Sequence, residues 1–186
     1  MKKFLSIIAV LAVTASLCSC GGKNVIPNGN NAQNDSTIVA NDTNTTPTGE
    51  EYTYDHITLV LPEGFTVNDD MSVPVAYGPN YPTEADNIAF TKSGADDIDN
   101  YNKEFLEDQY KAIINGFEEI DDFKKIKIDS HDAIKISYSL SISGVDMEQT
   151  QYCIFGDSFT DVVTFCSVTD NYKDAFEDCA KTITVD

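Results

Sequence analysis

The sequence has no tryptophan, no arginine and only two histidines among its 186 residues. Every basic side chain is a lysine, twelve against 31 acidic residues, and the formal net charge is −19. Nucleic-acid recognition requires a basic face and commonly an arginine fork to base or phosphate. This chain offers neither, so no nucleic-acid partner is expected. The two histidines, His56 and His131, stand far apart and next to no recognisable nucleophile motif. There is no Gly-x-Ser-x-Gly elbow, no His-Glu-x-x-His pair and no phosphate-cradling glycine loop, so no catalytic residues are assigned and the chain is not expected to be an enzyme. Long apolar runs are also scarce. Phe4 to Leu17 is broken only by Ser6, Thr14 and Ser16, and it falls short of the ~20 residues a comfortable membrane span needs.

What stands around that run gives it a meaning. Met1-Lys2-Lys3 is a short basic start, and the apolar stretch leads into Ser16-Leu17-Cys18-Ser19-Cys20-Gly21-Gly22. A charged n-region followed by an apolar h-region reads as a secretory signal peptide over residues 1–19. Leu17-Cys18-Ser19 ahead of Cys20 resembles the bacterial lipobox, which implies that Cys20 is diacylated and becomes the first mature residue. Cys18 is the poorer candidate, because Leu17 would occupy a position that demands a small side chain. A metal or redox role for the Cys18/Cys20 pair is correspondingly disfavoured. The implied location is extracytoplasmic, with the lipid anchor as the membrane contact and the protein in water.

Residues 20–50 are rich in Asn, Thr, Gly, Asp and Pro, with Val25, Ile26, Ile38 and Val39 as the sizeable apolar side chains. Too little apolar surface is available there to offset ordering entropy, so the segment reads as a tether. About thirty such residues reach roughly 30 Å, at ~5.5 Å times the square root of length. Residues 51–186 are the usual size of one domain.

The excess of acid raises a second possibility, cation binding, with calcium the candidate cofactor. Acidic clusters occur at Asn68-Asp69-Asp70, at Asp96, Asp97 and Asp99, and at Glu118-Glu119 with Asp121-Asp122. None has the ligand spacing of the twelve-residue calcium loop. Each also has a structural use as a cap or turn; plain solubility at a cell surface is the simpler reading of the charge.

Within the domain, the periodicity predicts a strand at Ile57–Leu61, a turn at Pro62-Glu63-Gly64-Phe65, and short strands at 73–77 and 87–92. A helix follows, capped by Asp96, Asp97 or Asp99, with Ile98, Tyr101, Phe105, Ala112 and Ile113 on one side and Gly116 at its stop. Strict alternation then takes over. A strand is expected at 124–128, a turn at Asp129-Ser130-His131, and Ile134, Ile136, Tyr138, Leu140 and Ile142 on one strand face with Lys135, Ser137, Ser139 and Ser141 on the other. Ser143-Gly144 and Gly156-Asp157-Ser158 turn the chain into strands at 145–155 and 160–169, an antiparallel meander. A last helix carries Tyr172, Ala175, Phe176, Cys179 and Ile183 on its apolar stripe. Helices set apart from a mostly antiparallel sheet indicate an α+β layered domain.

The order of these elements resembles the PsbP-like domain. The stretches that carry the resemblance are Ile57-Thr58-Leu59-Val60-Leu61-Pro62-Glu63-Gly64-Phe65, the segment Ile128 to Tyr138, and Tyr172 to Val185. Members, among them DcrB-like bacterial lipoproteins, commonly have Gly near Ser130 and Pro near Asp132, where this chain departs. The resemblance implies an α/β/α sandwich with a mostly antiparallel sheet flanked by helices. It also implies a noncatalytic binding or accessory role, with a membrane or cell-envelope protein as partner.

Two further expectations concern side chains. Cys153, Cys166 and Cys179 are read as buried thiols, with a Cys153 to Cys166 bridge as the alternative. Tyr77 and Tyr81 lie on a loop with too many turn residues to bury both, and suit either a protein or carbohydrate contact or the covering of a sheet edge. A cation, small-ligand or carbohydrate module built on the acidic clusters and this loop is therefore the alternative function.

Overall fold

Alternation in the second half of the chain produces the largest element. In a computed structural model that describes residues 48–70 and 72–186, β6 (Phe117–Ile128), β7 (His131–Ile142), β8 (Val145–Phe155) and β9 (Phe159–Ser167) form an antiparallel meander. Its turns follow their residues. Ser143 and Gly144 both adopt positive φ, 55° and 83°, as a two-residue hairpin of the primed type requires. Asp129 does so at 50° in the β6–β7 turn.

The first half adds five strands, β1 (Glu51–Tyr54), β2 (Ile57–Val60), β3 (Thr66–Asn68), β4 (Val75–Tyr77) and β5 (Asn87–Gly94). β5 pairs antiparallel with β9 along its whole length, giving a seven-stranded sheet in the order β3-β4-β5-β9-β8-β7-β6. β1, β2 and a two-residue C-terminal strand, β10 (Thr184–Val185), make a separate three-stranded sheet. Gly64, at φ 80°, makes the Pro62–Phe65 turn that leads from one sheet to the other.

Helix α1 (Lys103–Ile113) covers one face of the large sheet, where Leu106, Tyr110 and Ile114 pack with Ile134, Ile136, Tyr138 and Leu140. Helix α2 (Lys173–Ala180) covers part of the other, with Phe176 and Cys179 packed against Phe165, Val163 and Ile154. The small sheet covers a further part through Ile57 and Leu59. The expected α/β/α sandwich is present, with its second outer layer shared between a helix and a small sheet. Burying a side chain such as Phe176, 5% exposed, contributes about 1.5–3 kcal/mol relative to leaving it in water.

Several local expectations are corrected. Asp97 caps a 3₁₀ turn, Ile98–Asn100, and Asn102 caps α1 by accepting from Phe105 N at 2.8 Å. The extended residues Tyr101 and Asn102 reset the helical phase. Leu106 and Tyr110 therefore face the core, and Ala112 and Ile113 are exposed. β6 begins seven residues before the expected 124, so Glu118, Glu119, Asp121 and Asp122 lie in a strand. It is an edge strand, bulged between Phe117 and Asp122, and charges and bulges there discourage pairing with another chain.

Cys153, Cys166 and Cys179 are buried thiols. Cys153 pairs with Val162 and Cys166 with Gln149; four positions along β8, roughly 13 Å, is beyond disulfide reach. Cys18 and Cys20 lie outside the described residues, as do the signal peptide and most of the tether.

Candidate functional site

The face of the large sheet that carries α2 is only partly covered, and the reason is length. An eight-residue helix is about 12 Å long, whereas β7 and β8, at twelve and eleven residues, run to roughly 40 Å. Near the small sheet the uncovered face would be apolar, and there Ala133 and Ile154 are buried. Away from it the side chains turn polar. Cross-strand register sets Ser137 opposite Thr150, Ser139 opposite Glu148 and Ser141 opposite Asp146, and Ser167 continues the Ser139–Glu148 row onto β9.

These rows floor a groove of about 420 Å³, walled on one side by Val168, Thr169, Asp170 and Lys173. A smaller recess of about 120 Å³ continues along Lys135, Ser137, Thr150 and Tyr152 toward Phe176. Lys173 sits where the two meet. Its ammonium is 2.9 Å from Glu148 and 3.0 Å from Asp170. The hydrogen bond to Glu148, helped by that to Asp170, raises its pKa above the usual lysine range, so it stays charged. Ser137 and Thr150 hydroxyls bond each other at 2.9 Å, and Ser139 donates to Asp121 at 3.1 Å. Chemically the groove is a row of hydroxyls with an acidic majority and a single pinned cation at its centre.

One wall is held by a buried carboxylate. Asp86, 0% exposed, accepts from Val168 N and Thr169 N, each at 3.1 Å, and from the Thr169 hydroxyl at 3.0 Å. This clamp ties the loop after β4 to the turn that opens α2. The expected aromatic pair joins the end of β4, Tyr77, to this loop, Tyr81. Tyr77 and Tyr81 rings lie 4.2 Å apart, and Tyr81 is 42% exposed. Together with Thr66–Asp70 they line a shallow concavity apart from the groove. Burial, followed by the neighbouring Tyr81, raises the Tyr77 pKa.

Several of the acidic residues singled out in the sequence are occupied locally. Asp96 accepts from Tyr101, Asp97 N and Asn100, Asp97 caps the 3₁₀ turn, and Asp99 reaches Lys125 at 3.4 Å. Asp69 accepts from Tyr52 at 2.9 Å. Among the described residues the group whose carboxylate and imidazole atoms converge is a different one, Asp55, His56 and Asp161. No spacing rule would have found it, since His56 and Asp161 are 105 residues apart.

Two of the thiols have the opposite of nucleophilic character. Burial pushes Cys153 and Cys179 up to about 12, whereas a reactive cysteine needs a lowered pKa.

With this geometry in place, solved structures identify the architecture. CyanoP, the cyanobacterial PsbP of Synechocystis sp. PCC 6803, superposes over 80% of this chain and 98% of its own, with a TM-score of 0.59 and 11% identity. The fold is PsbP-like. LpqN of Mycobacterium tuberculosis shares it over 74% of this chain and 85% of its own, at a TM-score of 0.51 and 14% identity. A Bacteroides thetaiotaomicron protein matches 74% of this chain at a TM-score of 0.50 and 12% identity, and this chain spans about half of that protein, 48% of its length. No family model matches the sequence, and no curated protein matches it significantly. Among the described residues no helix is long and apolar enough to cross a membrane.

Proposed function

We propose that this chain is an extracytoplasmic lipoprotein, anchored through Cys20, whose PsbP-like domain binds a protein partner and acts as an accessory subunit of a cell-envelope complex, without chemistry of its own. The observation that carries the reading is the groove beside α2, a shaped, solvent-open and hydroxyl-lined recess on the sheet face ahead of the helix start. Its acidic majority, Glu118, Asp146, Glu148 and Asp170 around Lys173, suits a partner segment that brings lysine, arginine or backbone amides. Thiols held protonated by burial speak against covalent catalysis. LpqN, involved in cell envelope biogenesis, supports an envelope setting, and the sequence before Cys20 supports the anchor.

Two experiments test the proposal. Fatty-acid labelling is expected for the full chain and lost in Cys20→Ala; continued labelling of that variant contradicts the anchor. Ser139→Trp fills the groove from an exposed position. It is expected to release whatever co-purifies stoichiometrically from solubilised native membranes while leaving the urea midpoint unchanged, and undiminished co-purification contradicts the groove.

A further inference from the structure

β9 is buried at all nine positions, and its third residue is a carboxylate. Asp161 has a fully buried side chain, on the face beneath the β1–β2 turn. One of its oxygens, Oδ2, takes His56 N at 3.2 Å and faces His56 Nδ1 at 3.1 Å. The other, Oδ1, is buried and has no hydrogen-bond partner. An unpartnered carboxylate oxygen in the central part of a sheet is costly unless something else meets it.

The turn above it supplies two more donors. Asp55, in the left-handed region at φ 53°, brings Oδ2 to 3.5 Å from the same His56 Nδ1. All three ligand atoms lie within 4.8 Å of one another. In a tetrahedral zinc site with bonds of about 2.0–2.1 Å, neighbouring ligand atoms stand roughly 3.3–3.4 Å apart. The two imidazole-to-carboxylate separations bracket that value. The imidazole is held in place by stacking on Phe159, centroids 3.7 Å apart and planes 8° from parallel, and the His56 backbone by Asp186 N donating to its carbonyl at 3.0 Å. Lys92 pairs with the outer oxygen of Asp55 at 3.1 Å, which leaves Oδ2 turned inward. Two carboxylates against one lysine leave the cluster short of positive charge.

We propose that His56 Nδ1 and the carboxylates of Asp55 and Asp161 form a binding site for a divalent d-block cation of the zinc class, with a fourth position open to solvent beside His56. An imidazole and two carboxylates suit such an ion, whereas calcium takes six to eight oxygens and magnesium an octahedral oxygen shell. The ion joins the β1–β2 turn to the central strand of the large sheet. It is separate from the groove and does not depend on it.

The test is titration of the full chain, stripped with chelator and free of any affinity tag, with Co²⁺ as the probe. The expected result is one equivalent bound, giving the intense visible absorption of four-coordinate cobalt, bleached when Zn²⁺ is added and untouched by Ca²⁺. Asp161→Asn and His56→Gln should abolish it. Because the first of these alters a buried position, Asp55→Asn serves as the second variant. Asn tolerates left-handed backbone, and this change should weaken Co²⁺ binding at least tenfold with an unchanged urea midpoint. A weak six-coordinate spectrum, a thiolate-to-metal charge-transfer band, or equal affinity in Asp55→Asn overturns the site.

Discussion

Asp86 is the residue on which the groove wall depends, and replacing it gives a graded result. In Asp86→Ala two backbone N–H groups and one hydroxyl lose a charged acceptor. Charge-assisted bonds contribute about 1.5–3 kcal/mol each, but Val168 and Thr169 are only half-buried, so water recovers part. A loss of about 3 kcal/mol is expected. In Asp86→Asn one amide oxygen still accepts from both backbone groups, and the Thr169 hydroxyl reverses its role to accept from the amide nitrogen. That variant should lose about 1 kcal/mol. With a urea slope of ~2 kcal/mol/M for a domain of this size, the midpoints should fall by about 1.5 M and 0.5 M. Urea unfolding followed by circular dichroism gives both numbers. Equal losses in the two variants, or a loss below about 0.5 kcal/mol in Asp86→Ala, would refute the reasoning.

The core under α1 contains a second polar chain, in which Tyr110 donates to Gln151, Gln151 to Tyr138 and Tyr138 to Gln149, at 2.8, 3.2 and 2.6 Å. Tyr138→Phe removes two of these bonds and Tyr110→Phe one, so losses of about 2–4 and 1–2 kcal/mol are expected; the reverse order in urea unfolding contradicts the network. Native alkylation at pH 8, read by peptide mass spectrometry, should leave Cys153 and Cys179 unlabelled, since burial holds both thiols at about 12; fast labelling of either would show that it is not buried. Desolvation works to raise the pKa of Asp96, but hydrogen bonds from Tyr101, Asp97 N and Asn100 prevail and lower it. A lowered folded-state pKa contributes stability above the ordinary Asp range near pH 4 and loses it as pH falls. The stability gap between the native chain and Asp96→Ala should therefore narrow on acidification, and a gap that widens reverses the sign.

Much of the meander was legible because its turns and its alternation agree. Ser143-Gly144 has residues that accept positive φ, and Ile134 to Ile142 alternates with lysine and serine. The register of β7 on β8 follows from both. The start of β6 was hidden by Glu118, Glu119, Asp121 and Asp122, residues of low strand propensity that are tolerated because the strand is an edge. Three short strands, β1, β3 and β10, carry too few residues for a periodic signal. The serine face of β7 was visible as a polar face. That it floors a groove depends on where α2 begins, which is a fact of packing. The Asp55, His56 and Asp161 cluster joins a turn to a strand brought beneath it only by the packing of the small sheet on the large one. Long-range packing of this kind leaves no local pattern.

The most direct test of partner binding is site-specific photo-crosslinking in native membranes, with the reactive residue at Ser139 in the groove or at Ile113, 44% exposed on α1 across the sheet. One stoichiometric membrane partner captured from Ser139, absent from Ile113 and lost in Cys20→Ala, is the predicted result. Capture of the same protein equally from Ile113, or of none from Ser139, would contradict an anchored module that binds through the groove.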